Sequence, residues 1–310
     1  MKTQPVRKCS RTYPTCLALA VAAAPVLARE NGAPARALGM GDAVRAMGMG
    51  TSGLYFNPAG MAQTMSYAID LGYGYKAWTT GHNGHISFVD SKTNPDLAGG
   101  AGYTYTNANR DGIKTQLHDL RFAVASQYRS RNIQLCYGGG FRYMKVQQDA
   151  TSSAYRQSRW APTMDLGLLV GFNDLFYIGV AAQNIIKMPV LKARNATGLP
   201  VAPRSVGVGL GIQYSILHWG VDVDIDLQSK GGNTATVSPM TGLELTLAQM
   251  IAVRAGFTWD RVGTLAHDQK RVTVGLGYVS KYVGIDVGYG IDVTHATEWL
   301  IESSVRVFLP

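Results

Sequence analysis

The sequence predicts an all-β protein, a transmembrane antiparallel β-barrel of about fourteen strands with a short N-terminal helical hatch in the lumen. Beyond residue 65, apolar residues alternate with small or acidic ones at period two, which is the periodicity of strands. Fourteen such segments follow one another, and a closed bacterial barrel requires an even number. The 310 residues include 36 glycines and 16 tyrosines but only 16% charged residues, which is not the composition of a disordered chain.

The first 28 residues are predicted to be a signal peptide. Four basic residues lie between positions 2 and 11, residues 16–28 ("CLALAVAAAPVLA") are apolar, and Val26 and Ala28 suit cleavage after residue 28. A membrane anchor is the alternative, but the apolar run is about half of the ~20 residues that a spanning helix needs. A lipoprotein signal is disfavoured because no cysteine directly follows the small residues.

Removal of this leader changes the charge and the cysteine count. The chain has 29 basic and 20 acidic residues, so losing the four basic residues of the leader leaves 25 against 20, a net charge of +5 instead of +9. We therefore infer no nucleic-acid partner from the basic balance. Cys136 is then the single cysteine, which excludes an internal disulfide. We interpret it as a small strand residue.

Residues 29–64 are predicted to form a hatch, a segment that plugs the barrel. Fourteen strands enclose a lumen that is too wide for the wall side chains alone to fill. The stretch "ARALGMGDAVRAM" (35–47) favours a short helix with small residues facing the wall, and "GMGTSG" (48–53) interrupts that helix. These residues therefore divide the hatch into a helical part and a turn-rich part.

The turn-rich part ends in the motif "NPAG". Asn57 is expected to cap a turn or bond a wall carbonyl, and Pro58 fixes the backbone beside it. Ala59 and Gly60 are small enough for the chain to approach the wall closely. We therefore take Asn57, Pro58, Ala59 and Gly60 as the candidate hatch and ligand residues.

Residues 65–310 are predicted to form the barrel. In "WGVDVDIDL" (219–227), Trp219 and the aliphatic residues lie on one face, whereas Asp222, Asp224 and Asp226 lie on the other. A soluble β-sandwich also alternates, but its second face is not mostly glycine and carboxylate. The predicted strands are 66–76, 83–90, 97–107, 114–128, 132–146, 162–172, 175–185, 202–215, 217–228, 236–247, 249–260, 270–280, 282–292 and 298–309.

The connections fall into two classes. "RSRN", "NDL", "LH", "AQ" and "KY" are tight turns, whereas strand pairs 1–2, 3–4, 5–6, 7–8, 9–10 and 11–12 have longer links. Tight turns on one side and long loops on the other indicate a periplasmic and an extracellular rim, although "DSKTNPDL" is a long link on the periplasmic side. Aromatic residues near the strand ends mark the two membrane interfaces.

The last strand is expected to be read by the barrel-assembly machinery. The chain ends "SSVRVFLP", in which apolar residues alternate up to an aromatic residue. Leu309 and Pro310 displace that aromatic residue from the terminal position. Outer-membrane lipid and this machinery are therefore the predicted macromolecular surroundings of a protein in the bacterial outer membrane.

The segments "ARALGMGDAV" and "TSGLYFNPAGMA" resemble the hatch of FadL-type outer-membrane transporters of long-chain fatty acids and aromatic hydrocarbons. The family motif matches at Asn57, Pro58, Ala59 and Gly60. The resemblance implies a plugged fourteen-stranded barrel that takes up hydrophobic small molecules passively. PorV/PorQ-type barrels of a protein-secretion system carry a very similar opening. A non-transport barrel that acts as a scaffold for protein secretion or surface attachment therefore stays open as the alternative.

The resemblance also implies a route. A hydrophobic ligand is captured at the extracellular rim, passes beside the hatch and leaves through a wall gap into the membrane. The gap arises where an inward kink breaks the pairing of the third strand. That strand contains "LAGGAGYTY" (97–105), so Gly99, Gly100 and Gly102 are the candidate kink residues. The alternative is that they are ordinary small residues of a glycine-rich barrel.

The remaining polar groups predict neither a catalytic site nor a cofactor. His82 and His85 have metal-like spacing but only two ligands, whereas zinc takes three or four. The three aspartates at 222–226 are expected to face lumen arginines, with Arg142, Arg254 and Arg306 as the candidates, and a calcium site is the weaker alternative. We find no Ser/His/Asp nucleophile set, so we expect no enzyme, no metal and no cofactor.

Overall fold

The computed structural model describes residues 34–94, 96–110, 112–150, 156–186, 190–193, 196–200, 202–229, 234–261 and 268–309. The predicted signal peptide, residues 1–28, and the first hatch residues, 29–33, lie outside the described residues.

Fourteen strands close into one antiparallel barrel, which confirms the predicted fold class and strand number. Each strand pairs with its neighbour along the chain, except that β7 pairs with β10, because β8 and β9 form a separate hairpin in the connecting segment. The strands are β1 Tyr67–Lys76, β2 Gly81–Asp90, β3 Ala98–Arg110, β4 Ile113–Arg129, β5 Ile133–Ala150, β6 Arg156–Phe172, β7 Phe176–Gln183, β8 Val190–Ala193, β9 Ala196–Pro200, β10 Ser205–Tyr214, β11 Leu217–Ser229, β12 Thr234–Leu247, β13 Ile251–Asp260, β14 Gln269–Val279, β15 Val283–Asp292 and β16 Trp299–Phe308.

The first and last strands close the barrel. Their register places Leu71 opposite Val305, and Leu309 N donates a hydrogen bond to Tyr67 O over 2.9 Å. Closure matters in a membrane because an open edge would leave backbone amides without partners in hydrocarbon, at a cost of several kcal/mol for each group. The closed ladder therefore gives the backbone amides of every barrel strand a partner within the wall, as a membrane requires.

The outer face of the wall is apolar and the inner face is polar. Leu71, Val124 and Leu276 on the outer face are 51%, 56% and 63% exposed, respectively. Asp222, Asp224 and Asp226 are buried within the lumen. The predicted facing of the alternation is confirmed, and the arrangement is that of a membrane barrel and not of two stacked sheets. No helix among the described residues is long and apolar enough to cross a membrane.

Two predicted connections differ from the observed ones. The link between β3 and β4 was expected to be long, but it comprises residues 111–112 only. Strands β5 and β6 continue to Ala150 and from Arg156, well beyond their predicted ends. Part of the predicted extracellular loops is therefore extended barrel wall, in which the ladder continues after the apolar alternation has ended.

The described hatch residues form short helical turns joined by bends. The helix α1 spans Ala35–Gly39 and α2 spans Gly53–Phe56, with 3₁₀ turns at Gly50–Ser52 and Pro58–Ala62. A further 3₁₀ turn, Ala77–Thr79, links β1 and β2. The helix α1 occupies only the first part of the stretch that favoured helix. It ends because Gly41 and Asp42 adopt positive φ angles of 58° and 62°, respectively.

Candidate functional site

The candidate site is the lumen together with the segment that fills it. Residues 34–63 lie inside the barrel and are almost entirely buried. The helix α1 packs on β14 and β15, and the turn Pro58–Ala62 packs on β4, β5 and β6 on the other side. Met40, Met47 and Met61 are completely enclosed. The segment thus reaches across the lumen and contacts much of the wall.

Asn57 joins two parts of the hatch to the wall. Its Nδ2 donates to Arg45 O and to Leu168 O on β6, each over 3.1 Å. Its Oδ1 accepts from Ala59 N over 3.2 Å, so the side chain also caps the turn that begins at Pro58. The amide is fully buried. All of its strong contacts would be lost in an apolar replacement.

The wall has glycines where the hatch approaches most closely. A Cβ atom on Gly167 of β6 would overlap Asn57 Oδ1 and lie 2.9 Å from Ala59 N. A Cβ atom on Gly242 of β12 would overlap Met40 O in the same way. Hatch backbone and wall backbone are therefore in direct contact, which only glycine permits at these two positions.

The helix α1 is fixed by a buried ion pair. Arg36 Nε lies 2.9 Å from Glu244 Oε2, and Arg36 Nη1 donates to Met47 O over 3.1 Å. Burial alone would lower the pKa of the Arg36 guanidinium, but attraction to Glu244 and the hydrogen bond to it raise that pKa. Glu244 also accepts from Arg254 and His218. Arg36 thus connects α1 to a network of charged side chains on the wall.

The aspartates on β11 face a different arginine from those that were expected. Arg45 of the hatch donates its backbone N–H to Asp222 Oδ2 over 2.8 Å, and its Nη2 lies 3.3 Å from Asp224 Oδ2. Among the candidates from the sequence, Arg142 contacts Asp119, Arg254 contacts Glu244 and Asp286, and Arg306 contacts Asp70. Asp222 and Asp224 therefore anchor the hatch.

Tyr55 forms the floor of a small polar cavity. Its ring lies against the Arg121 guanidinium, 4.7 Å from ring centroid to Cζ, and the backbone carbonyl O of Tyr55 accepts from Gln183 Nε2 over 2.8 Å. Burial raises the pKa of the Tyr55 phenol to about 12. The cavity above it has a volume of about 20 Å³, enough for about one water molecule. Hatch and wall side chains therefore fill almost all of the lumen beside Tyr55.

The candidate kink residues lie in continuous wall. Gly99, Gly100 and Gly102 pair in register with β2 on one side and β4 on the other. Gly100 and Gly102 face the lumen, where their Cβ positions would crowd Met61 Sδ and Leu54 Cδ2, respectively. Gly99 faces outward, with open space at its Cβ position. An opening here would require these ladder pairs to separate.

The two histidines do not meet at a common ligand position. His85 points into the lumen, where its Nε2 lies 3.0 Å from Asp70 Oδ1. His82 lies on the outer side, where its Nδ1 is 2.6 Å from Tyr73 Oη. Among the described residues, no group of three or more His, Cys, Asp or Glu side chains is placed to hold a metal ion.

Sequence reasoning missed the two hatch arginines. Arg36 and Arg45 are the only arginines between residues 34 and 64, in a segment that is otherwise small and apolar. Strand alternation already placed the 222–226 aspartates inward, and the same alternation places Glu244 inward. A buried charge needs a partner. Pairing the inward carboxylates of the wall with the two arginines of the hatch would therefore have predicted these contacts.

Comparisons with known proteins agree with this architecture. No family model and no curated protein matches the sequence. The toluene transporter TbuX of Ralstonia pickettii is similar in structure, with a TM-score of 0.60 and 15% identity over 91% of this chain and 98% of that chain.

Two further structures are similar. A FadL homologue of Pseudomonas aeruginosa has a TM-score of 0.60 and 13% identity, covering 89% of this chain and 96% of that one. The toluene transporter TodX of Pseudomonas putida has a TM-score of 0.57 and 11% identity, covering 90% and 97%. The chain has the fold of FadL-type outer-membrane transporters.

Proposed function

We propose that this protein mediates passive uptake of hydrophobic small molecules, such as long-chain fatty acids or aromatic hydrocarbons, across the bacterial outer membrane. The observation that carries the proposal is a buried hatch, bearing the Asn57–Gly60 motif, inside a closed fourteen-stranded barrel whose fold is that of toluene transporters. The domain division follows from the same proposal: leader 1–28, hatch 29–64 and barrel 65–310.

Uptake through this lumen requires the hatch to move. Hatch and wall leave about 20 Å³ at the Tyr55 cavity, whereas a pocket for a small organic ligand measures ~300–1,000 Å³. Displacement of Met61 and Leu54 from Gly100 and Gly102 would uncover a strip of small residues on the lumen side of β3. We propose that the ligand moves along this strip.

A groove on the membrane side supports a lateral exit. It lies on the outer surface of β4–β6, has a volume of about 480 Å³, and is lined mainly by Leu97, Val124, Tyr137 and Leu166. Gly138 in the same groove is backed by hatch residue Pro58 on the lumen side. A ligand that leaves the wall here would pass directly into an apolar surface, without meeting bulk water.

A reversible lock of the hatch tests this proposal. Ala46 Cβ lies 3.4 Å from the Cβ position of Gly211 on β10, close to the ~3.5–4.5 Å that a disulfide spans. The new side chain at position 211 would crowd the side chain of Met47, which is flexible enough to move aside. In liposomes that contain the Ala46→Cys, Gly211→Cys variant, we expect uptake of labelled fatty acid or toluene to stop on oxidation and to resume on reduction.

Ala46→Cys alone and Gly211→Cys alone are the controls, because each introduces one cysteine beside the buried Cys136 and cannot form the 46–211 cross-link. Uptake by the wild type no faster than by protein-free liposomes would overturn the transport proposal. Equal uptake by the oxidised and reduced double variant, above the protein-free rate, would retain transport but refute the role of hatch movement.

The scaffold function is the second candidate, and the dense packing of the lumen favours it. A barrel that serves secretion or surface attachment needs no passage, and Asn57, Arg36 and Arg45 all hold the hatch in place. Absence of uptake together with retained surface display of a secreted partner in cells would favour this alternative. In either case we propose a non-enzymatic protein whose last strand, β16, is recognised by the barrel-assembly machinery.

A further inference from the structure

One side of the outer wall changes abruptly from apolar to polar. Moving along β4 from its tight-turn end, the outward residues after Ser126 are aromatic or aliphatic up to Leu120, and then come His118, Gln116 and Lys114. The same change occurs on β5 above Tyr143 and on β6 above Trp160. The boundary residues form one row, because the register aligns Tyr105, His118, Lys145 and Trp160 across four strands.

This row lies at the level of the outer-leaflet headgroups. Tyr128 marks the opposite, tight-turn boundary of β4, ten residues from His118. At about 3.3 Å per residue and a tilt of ~40°, ten residues span about 25 Å along the barrel axis, which is the height of the apolar band of such barrels. Tight turns face the periplasm, so the row faces the extracellular leaflet.

The row carries a recess with fixed aromatic walls. It has a volume of about 260 Å³ and is lined by His118, Leu120, Tyr143, Lys145 and Trp160. The rings of Tyr143 and Trp160 stack with centroids 5.2 Å apart, and Lys145 Nζ lies 4.7 Å from the Trp160 centroid. The ammonium group is thus held over the aromatic wall of the recess.

His118 supplies a second polar group beside Lys145. Its Nδ1 lies 2.8 Å from Tyr103 Oη, and its ring lies 5.1 Å from that of Tyr105. With the phenol donating to Nδ1, Nε2–H is left as a donor for a ligand. Lys145 and His118 thus provide two neighbouring donors, one of them cationic, at the upper edge of the apolar outer wall. This arrangement suits a lipid with an anionic headgroup, whose acyl chains would lie on the apolar wall below.

We propose that this recess binds a phosphate group of a phosphorylated glycolipid in the outer leaflet. Lys145 pairs with the phosphate, His118 donates a hydrogen bond to it, and Trp160 and Tyr143 pack against the attached sugar. The acyl chains lie on the apolar outer face of β4–β6, where Phe122, Phe141 and Leu166 are exposed. The recess thus fixes a lipid on the outside of the barrel, separately from any passage through it.

Native mass spectrometry of the full-length protein with bisphosphorylated lipid A tests this site. Lys270 Nζ lies 5.2 Å from the Trp259 ring on the same rim, a contact similar to that of Lys145 with Trp160. All samples therefore carry Lys270→Gln, so that lipid A bound near Lys270 does not add to the signal. We expect His118→Gln, Lys145→Gln to bind lipid A at least about tenfold more weakly, because the charge of Lys145 is removed and neutral amides replace both donors, which bind a phosphate less strongly than a cation does. Lys145→Arg keeps the charge and should keep most of the binding.

Lys281→Gln is the matched control. Lys281 lies over Tyr282 at 5.3 Å, a similar contact at the periplasmic turn, and its loss should leave lipid A binding unchanged. Dephosphorylated lipid A should bind the protein as weakly as the double variant binds lipid A, and inorganic phosphate at equal concentration should not compete.

Two results would overturn the proposal. One is equal binding of lipid A by the double variant and its parent, with both shown to be folded by heat-modifiable migration. The other is equal binding of the phosphorylated and dephosphorylated lipid, which would mean that the recess is only part of the general lipid-facing surface.

Discussion

At the residue scale, the contact between Gly167 and Asn57 is one of the closest approaches of hatch and wall. Because a Cβ atom at position 167 would overlap Asn57 Oδ1, we expect Gly167→Ala to push Asn57 away from Leu168 O. Such overpacking typically costs about 1–3 kcal/mol. The measurable result is a faster influx of a small sugar into liposomes, since a displaced hatch admits water to the lumen.

Gly139→Ala provides the control for this change. Gly139 lies on the adjacent strand β5 but faces outward, and its Cβ position is 3.4 Å from Leu166 Cδ2, an ordinary contact. The same added methyl group should leave sugar influx at the wild-type rate. If both variants behaved alike, the close approach of Asn57 to the wall would not be what seals the lumen.

The contacts of Asn57 show what a sequence can and cannot predict at this scale. A buried asparagine before proline is expected to cap a turn, because this requires only the local chain. Its bond to Leu168 O and its fit against Gly167 depend on which wall strand lies beside residue 57. That placement is set by the path of the hatch through the lumen, which no local pattern encodes.

At the element scale, strand ends were predicted less well than strand centres, and β5 and β6 show why. In the membrane, lipid on one face and the lumen on the other impose an alternation of apolar and polar side chains. Above it, polar residues follow one another on both faces, as in the pairs Gln148–Gln157 and Asp149–Arg156, so the alternation that marks a strand is lost. The hydrogen-bonded ladder continues all the same.

The helix α1 is stabilised by the ion pair between Arg36 and Glu244. A five-residue helix is too short to be stable alone, and Arg36 ties it to Glu244. We expect Arg36→Gln to cost about 1–3 kcal/mol, because Glu244 keeps Arg254 and His218 as partners. Hydrogen exchange should show the amides of 37–42 opening about tenfold faster or more.

Arg129→Gln is the control for this variant. Arg129 lies 2.7 Å from Asp174, but both side chains are more than half exposed at the tight-turn rim. An exposed pair contributes about 0–1 kcal/mol, so exchange in 37–42 should not change. Unaltered exchange in Arg36→Gln would show instead that close packing on β14 and β15 holds α1 without the ion pair.

At the scale of the whole molecule, the barrel was predictable because its two determinants are local. Strand number follows from counting alternating segments, and the facing follows from which side of each segment is aliphatic. The lumen was less predictable, since it is assembled from residues far apart in the chain, such as Arg36 with Glu244 and Arg45 with Asp222. Partner choice among buried charges depends on a three-dimensional path.

Deletion of residues 34–64 should therefore separate the wall from its plug. The ladder from β1 to β16 closes without the hatch, so we expect a heat-modifiable, folded barrel. Asp222 and Glu244 would lose their partners Arg45 and Arg36. Water would then fill the lumen and solvate these carboxylates, so that they would not be buried charges without a partner. In planar bilayers the deletion should produce a large, steady conductance that the wild type lacks. If the deleted protein failed to fold, the buried ion pairs would be part of what holds the wall together; if it folded but stayed non-conducting, something other than this segment would be closing the lumen.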